Sequence, residues 1–390
     1  MTKQSSGARQ IAPLYLAGLT TAVGAHGVAS VLGAETDDIG LTLLGLGVIL
    51  ALYDLAEVIL KPVFGVLSDR IGPKPVILGG LIAFVAASLI AFLAPTPLVI
   101  ALARVGQGAA ASAFSPAASA SVARLAGRER LGRYFGRYGA WKSVGYVLGP
   151  LAGILLTQWW GIHAVYALLG VLGGVAAVWV AAALPTLDPL PKQRTTLADL
   201  VRQTTDRGFV IPTLALASST AVLGVAVGFL PLLATRLHLS PVLGALAVGV
   251  LALASIVAQP LIGKLRDHQR ISTRVGTAAG LAAAALGLVL LAVIPSAVTL
   301  FIAALAFGAM TGVVTPLAFA HLADTTPDSR MGRTMGNAEI GRELGDAGGP
   351  LLVGAIASAW ALPAALGILA GTTLVAAGIS WGALRPRRTD

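Results

Sequence analysis

The sequence predicts an all-α integral membrane protein with 12 transmembrane helices in two pseudo-symmetric six-helix bundles. Three observations lead there. Of the 390 residues 56% are hydrophobic and 11% charged, and the mean hydropathy is +0.85; an average soluble protein carries roughly 25% charged residues. Apolar runs of about 20 residues recur along the chain, each long enough to cross a hydrocarbon core of roughly 30 Å as helix. Finally, the second half repeats the first at nearly one offset. The short alternating segments of a membrane barrel are absent.

The runs fall near 11–33, 41–64, 75–94, 98–122, 134–157, 161–185, 209–231, 241–262, 274–294, 297–321, 334–357 and 361–384. The first follows only Lys3 and Arg9. It is longer than a signal h-region and reads as an uncleaved span. The connections, taken alternately, split by charge. One set holds Arg70 and Lys74; Arg124, Arg128, Arg130, Arg133 and Arg137; Lys192, Arg194, Arg202 and Arg207; Lys264, Arg266, Arg270 and Arg274; Arg330 and Arg333; and the terminal Arg385, Arg387 and Arg388. The other holds Arg236 with Glu35, Asp37 and Asp38. By the positive-inside rule both termini are cytoplasmic, in a multi-pass protein of the inner (plasma) membrane. The net charge of +10 thus reflects topology and does not indicate nucleic acid. The chain has no cysteine, hence no disulfide or thiolate chemistry, and its five histidines lack metal-ligand spacing. The 47 glycines suit close helix packing in lipid.

The longest connection, 186–208, opens on prolines and has a polar body with a short amphipathic helix expected around Leu197 to Gln203. It separates a bundle at 1–185 from one at 209–390. "KPVFGVLSD" (61–69) matches "QPLIGKLRD" (259–267) at an offset of 198 (259 minus 61). "LGRYFG" (131–136) matches "MGRTMG" (331–336) and "GYVLGP" (145–150) matches "GDAGGP" (345–350) at an offset of 200 (331 minus 131). Such parallel repeats are a transporter architecture that alternates access by rocking.

These segments carry a family resemblance over essentially the whole chain. "GVLSDRIGPKP" (65–75), "RVGQG" (104–108) and "GYVLGPLAG" (145–153) resemble motifs of the major facilitator superfamily, in its 12-helix drug:proton antiporter branch. The resemblance implies that Gly65 lets helices touch and that Asp69, beside Arg70 and Lys74, faces the start of the eleventh helix as a latch between halves. Pro73 and Pro75 flank Lys74 where the family usually has a basic pair. Gly145, Gly149 and Gly153 share one helical face and Pro150 bends that helix. This face is expected to meet a helix of the other half, or else to serve generic small-residue packing. By resemblance Arg104 takes part in proton transfer; the alternative is structural pairing with a carbonyl or Gln107.

Asp54, Glu57 and Lys61 are spaced i, i+3 and i+7 in the second span. Their repeat mates, Ala252, Ser255 and Gln259, show that the fold does not require the charges. The eleventh span carries Glu339, Arg342, Glu343 and Asp346, and in the family's fold these two helices adjoin. Pairing is expected of Asp54 or Glu57 with Arg342, and of Glu339 or Glu343 with Lys61. Five acids face two bases in this set, so one carboxyl should titrate high, as proton coupling needs. Asp54 and Asp346 lead for coupling or substrate contact, followed by Glu57 and Glu343; the alternative is a salt-bridge gate. Lys142 either joins an anion or gate site or snorkels, and His26 either titrates or packs.

With no Walker loop and no nucleophile beside a base, the chain reads as neither an enzyme nor an ATP-driven pump. The expected function is proton-coupled efflux of small amphipathic compounds by a monomer without cofactor, powered by the proton gradient. Alternatives are a metabolite or organic-anion carrier, and a transporter-like sensor.

Overall fold

The computed structural model describes residues 2–34, 43–94, 96–189 and 205–384. The acidic connection of Glu35, Asp37 and Asp38 and the surface helix expected around 197–203 lie outside the described residues. Among the described residues every regular element is helical. The chain forms α1 (Thr2–Ala34), α2 (Leu43–Ile71), α3 (Pro73–Leu93) and α4 (Pro97–Ala126). A helical run Leu131–Ala183 is broken at Gly161, with φ 71° and ψ 178°, into α5 (131–160) and α6 (162–183). Then follow α7 (Arg207–Arg236), α8 (Pro241–Asp267), α9 (Thr273–Val293), α10 (Ala297–Thr325), α11 (Met331–Ala359) and α12 (Leu362–Ala383).

Local chemistry explains the helix starts. Thr96 caps α4 by accepting from the Val99 N–H, and its repeat mate Ser296 forms a reciprocal capping box with Thr299 on α10. Pro73, Pro97, Pro241 and Pro363 sit in first turns, where a missing N–H is harmless. Prolines inside helices recur between repeats, as with Pro116 and Pro316 or Pro150 and Pro350. Nine helical segments among the described residues are long and apolar enough to cross a membrane.

The chain divides into two compact units. The first comprises Met1–Gly127, Trp141–Gln193 and Pro327–Glu339; the second comprises Arg128–Ala140, Arg194–Thr326 and Ile340–Asp390. Each unit therefore holds most of one repeat plus the opening turns of one helix from the other, α11 in the first and α5 in the second. In the first unit α4 packs on α1, α2 and α3. Phe84, Ile100, Tyr166 and Leu169 form the dry core there. In the second, α10 packs on α7, α8 and α9, around Phe307, Met310, Leu288 and Leu366.

Glycines set two seams. A Cβ on Gly149 would lie 3.0 Å from the Val23 carbonyl oxygen, and one on Gly153 would lie 2.9 Å from that of Gly27, both on α1. Gly145 would meet Leu19 and Ala22. The expectation that this face meets a helix of the other half is thus corrected: α1 of the same repeat takes it, because Gly27 offers a reciprocal gap. Gly345 and Gly349 of α11 likewise meet Ala217 and Ala221 of α7.

Gly149→Val should therefore force α1 from α5 and destabilise by about 1–3 kcal/mol, as overpacking does. Gly174→Ala, with no neighbour within 4 Å of the new Cβ, should be neutral or stabilising by up to about 1 kcal/mol. Thermal unfolding of the two variants in detergent measures the difference.

Candidate functional site

The answer to why α2 holds charges lies in one buried cluster of the first unit. Glu57 and Lys61 are one turn apart, the spacing at which side chains on a helix meet. The Lys61 ammonium, with 0% exposure, lies 2.6 Å from Glu57 Oε1. Glu339 of α11 brings Oε2 to 4.0 Å from the Lys61 Nζ and 4.0 Å from the Lys142 Nζ of α5. Two acids thus meet two bases. Removing one member of such a set would leave an uncompensated buried charge, typically at about 3–5 kcal/mol. Small residues make the approach possible: a Cβ on Gly336 would stand 3.0 Å from the Lys61 carbonyl oxygen.

Three of the four matching positions of the second unit are neutral, Ser255, Gln259 and Gly139, while the mate of Lys142 is Arg342. The Gln259 amide donates to Ser255 Oγ at 3.0 Å, and Gly139, the mate of Glu339, leaves the space that the Gln259 amide oxygen fills. The same backbone geometry thus accepts a charged set in one repeat and an uncharged pair in the other.

Other candidates are distributed differently. Asp54 shares the α2 face of Glu57 by spacing, yet it is exposed where Glu57 is buried. Arg342 is held by its neighbour Glu343, and its carbonyl accepts from Thr220 Oγ1 at 2.6 Å. Asp346 is half-buried against Gly224 of α7. The His26 ring meets Tyr146 edge-on at 4.5 Å.

Arg104 is 2% exposed and donates to the α1 carbonyls of Gly24 at 3.2 Å and Ala25 at 3.5 Å. Its guanidinium carbon lies 4.2 Å from the centre of the Tyr53 ring, a cation–π contact that stabilises a desolvated cation. Gln107, the side chain considered as its partner, donates instead to Ser88 Oγ at 3.0 Å. Tyr53 escaped the sequence reading because no spacing rule links α2 to α4.

The Asp69 carboxylate, beyond the apolar stretch of α2, caps the start of α11. It accepts from the N–H of Gly332 at 2.8 Å and of Arg333 at 3.0 Å, where the helix dipole favours an anion. A Cβ on Gly65 would stand 2.8 Å from the Gly332 carbonyl oxygen. Burial pushes the Asp69 carboxyl up to about 6, against the lowering pull of the Arg333 and Gly332 hydrogen bonds and the Arg333 and Arg124 charges. Lys74, expected beside this latch, turns away and caps α6, and Arg70 is exposed. A second cap was missed. Asp267, the repeat mate of Asp69, accepts from the N–H of Gly132 at 2.8 Å and of Arg133 at 2.7 Å at the start of α5. The match of "VLSD" with "KLRD" held that signal.

The family model described as Major Facilitator Superfamily matches residues 14–297 and 213–390. The chain is 35% identical over 140 residues to the inner membrane transport protein YajR of Escherichia coli, covering 35% of this chain and 30% of that one. It is 40% identical over 115 residues to a chloramphenicol resistance protein of Pseudomonas aeruginosa, covering 29% and 27%. The chain spans less than half the length of the curated relatives it matches. Among solved structures, the human organic anion transporter MFSD10 (TETRAN) superposes with a TM-score of 0.79 at 16% identity, covering 97% of this chain and 100% of that one. The fold, the duplicated motifs and the family match agree: this multi-pass membrane protein belongs to the Major Facilitator Superfamily.

Proposed function

We propose that the chain is a secondary active transporter that exports small amphipathic compounds in exchange for protons, working by alternating access without a cofactor. The observation that carries this reading is the contrast between repeats. Glu57, Lys61 and Glu339 are buried charges at positions where Ser255, Gln259 and Gly139 serve the same fold. Intramembrane charges are expensive, and where packing does not require them they mark ion or substrate pathways. The match to a chloramphenicol resistance protein supports efflux.

In this reading a proton from outside neutralises a carboxyl as substrate leaves, and the return step releases it inside. Asp54 and Asp346 lead as proton or substrate groups, followed by Glu57 and Glu343, with Arg104 and His26 beside them. Lys61, Lys142, Glu339 and Arg342 gate the path, and the Asp69 cap stabilises one state. The chain works as a monomer in the plasma membrane with its basic loops inside, a placement supported by the E. coli relative. A second reading is an organic-anion carrier. Arg104 favours it: this buried guanidinium rests on two carbonyls and a ring, an arrangement able to attract a carboxylate.

In proteoliposomes holding an interior pH dye, a gradient of a candidate drug without a pH gradient should move protons against the drug. Asp54→Asn or Asp346→Asn should abolish that proton movement. Drug flux with no proton movement in the wild type would contradict coupling.

The Asp69 cap has its own pH signature. A carboxyl raised from 3.8 to about 6 when docked binds its proton more tightly docked than solvated. The docked state is therefore favoured most below the solvated value, and that advantage is lost as pH rises through about 6. The chain has no cysteine, so Arg70→Cys and Asp328→Cys can carry spin labels. The short-distance population should grow as pH falls from about 6 to about 4, and Asp69→Asn should flatten the profile.

A further inference from the structure

Lys74 and Arg274 occupy the same position in the two repeats, 200 residues apart (274 minus 74), and so do Ala181 and Trp381. In the first repeat Lys74 Nζ donates to the carbonyls of Ala181 at 2.9 Å and Leu184 at 2.7 Å, at the end of α6. A cation is well placed at a helix C-terminus. In the second repeat the tryptophan intervenes. The Arg274 guanidinium carbon lies 4.5 Å from the centre of the Trp381 ring. Among the described residues Arg274 makes no hydrogen bond or ion pair, and its Nε is buried without an acceptor.

A guanidinium carries five donors in a fixed fork, and buried polar atoms are nearly always bonded. The surroundings indicate where an acceptor would come from. Val275, Leu374, Val375 and Trp381 are exposed, Trp381 by 51%. On a membrane protein such an apolar outer face meets acyl chains, and a tryptophan at a span end sits at headgroup level. Lys264, in the last turn of α8, and Arg270, in the connection to α9, are also exposed and add positive charge. Asp267, the acid nearest to Arg274 in sequence, is engaged by the N–H groups of Gly132 and Arg133.

We propose that Arg274 and Trp381 form a headgroup site for an anionic phospholipid. The indole face fixes the guanidinium plane, the fork takes the phosphate oxygens in pairs, and the flanking bases select a net negative headgroup. Lys74, already engaged by α6, makes no such site in the first repeat. The site is independent of what the protein transports.

Native mass spectrometry of the purified full chain with phosphatidylglycerol or phosphatidylcholine tests it. The wild type should retain phosphatidylglycerol in preference to phosphatidylcholine. Arg274→Gln should weaken that retention about fivefold, the worth of one basic residue at an anionic surface, while Lys74→Gln leaves it unchanged. Should Arg274→Gln fail to fold, Trp381→Leu reports on the same site and should also lose retention. Retention of phosphatidylglycerol by both variants at the wild-type level would overturn the proposal, as would equal retention of phosphatidylcholine. Protection against thermal unfolding by inorganic phosphate alone, lost in Arg274→Gln, would reassign the site to a soluble anion and also overturn it.

Discussion

A lysine ammonium with no exposure to solvent constrains everything packed around it. Lys61 is tolerable inside a lipid-embedded fold because its charge is compensated, with Glu57 in direct contact and Glu339 within ionic reach. Around it the first turns of α11 lie beside α2, Lys142 of α5 reaches the same carboxylate, and glycine stands where the backbones meet. Gly65, Gly332 and Gly336 stand at those points. The Asp69 cap lies on the same helix pair, two turns further along α2, so electrostatic balance and backbone approach act on one contact.

The two repeats offer an internal control that a single domain could not. Where the first unit has an ion-pair cluster, the second has an amide and a hydroxyl. Where the first has a lysine capping a helix, the second has an arginine on a tryptophan. The capping aspartates and the glycine seams appear in both units. Shared features mark what the fold needs, and differences mark what was added to it. By this criterion Glu57, Lys61 and Glu339 are the charges we propose for function, while the Asp69 and Asp267 caps and the basic pair of mates Lys142 and Arg342 are common to both units.

Much of this was legible in the sequence because it depends on periodicity. Span positions follow from apolar runs, the approach of Glu339 to Lys61 from the charged faces of the second and eleventh spans, and the duplication from offsets, whereas the contact of Glu57 with Lys61 was not among the expected pairs. Contacts that depend on where a third helix arrives were not legible. Spacing placed Asp54 on the face of Glu57, but azimuth does not give depth, and only Glu57 is buried. The apparent excess of acids changed once Lys142 entered from α5, a helix with no sequence proximity to either partner. Tyr53 beneath Arg104, the carbonyls of α1 and the turn of Lys74 toward α6 arise in the same way. The glycine face of α5 was recognised correctly as a close-packing surface, but its partner, α1, was not.

The central claim is that the buried charges of the first unit serve transport and not folding. It is tested most directly by neutralising the whole cluster, with Glu57→Ser, Lys61→Gln and Glu339→Gly as in the second unit and Lys142→Gln so that no base is left without its acid, and measuring thermal unfolding alongside substrate-driven proton movement. The account predicts a variant that unfolds near the wild-type temperature yet moves no protons. A variant that fails to fold, or one that folds and still couples substrate to protons, would contradict it.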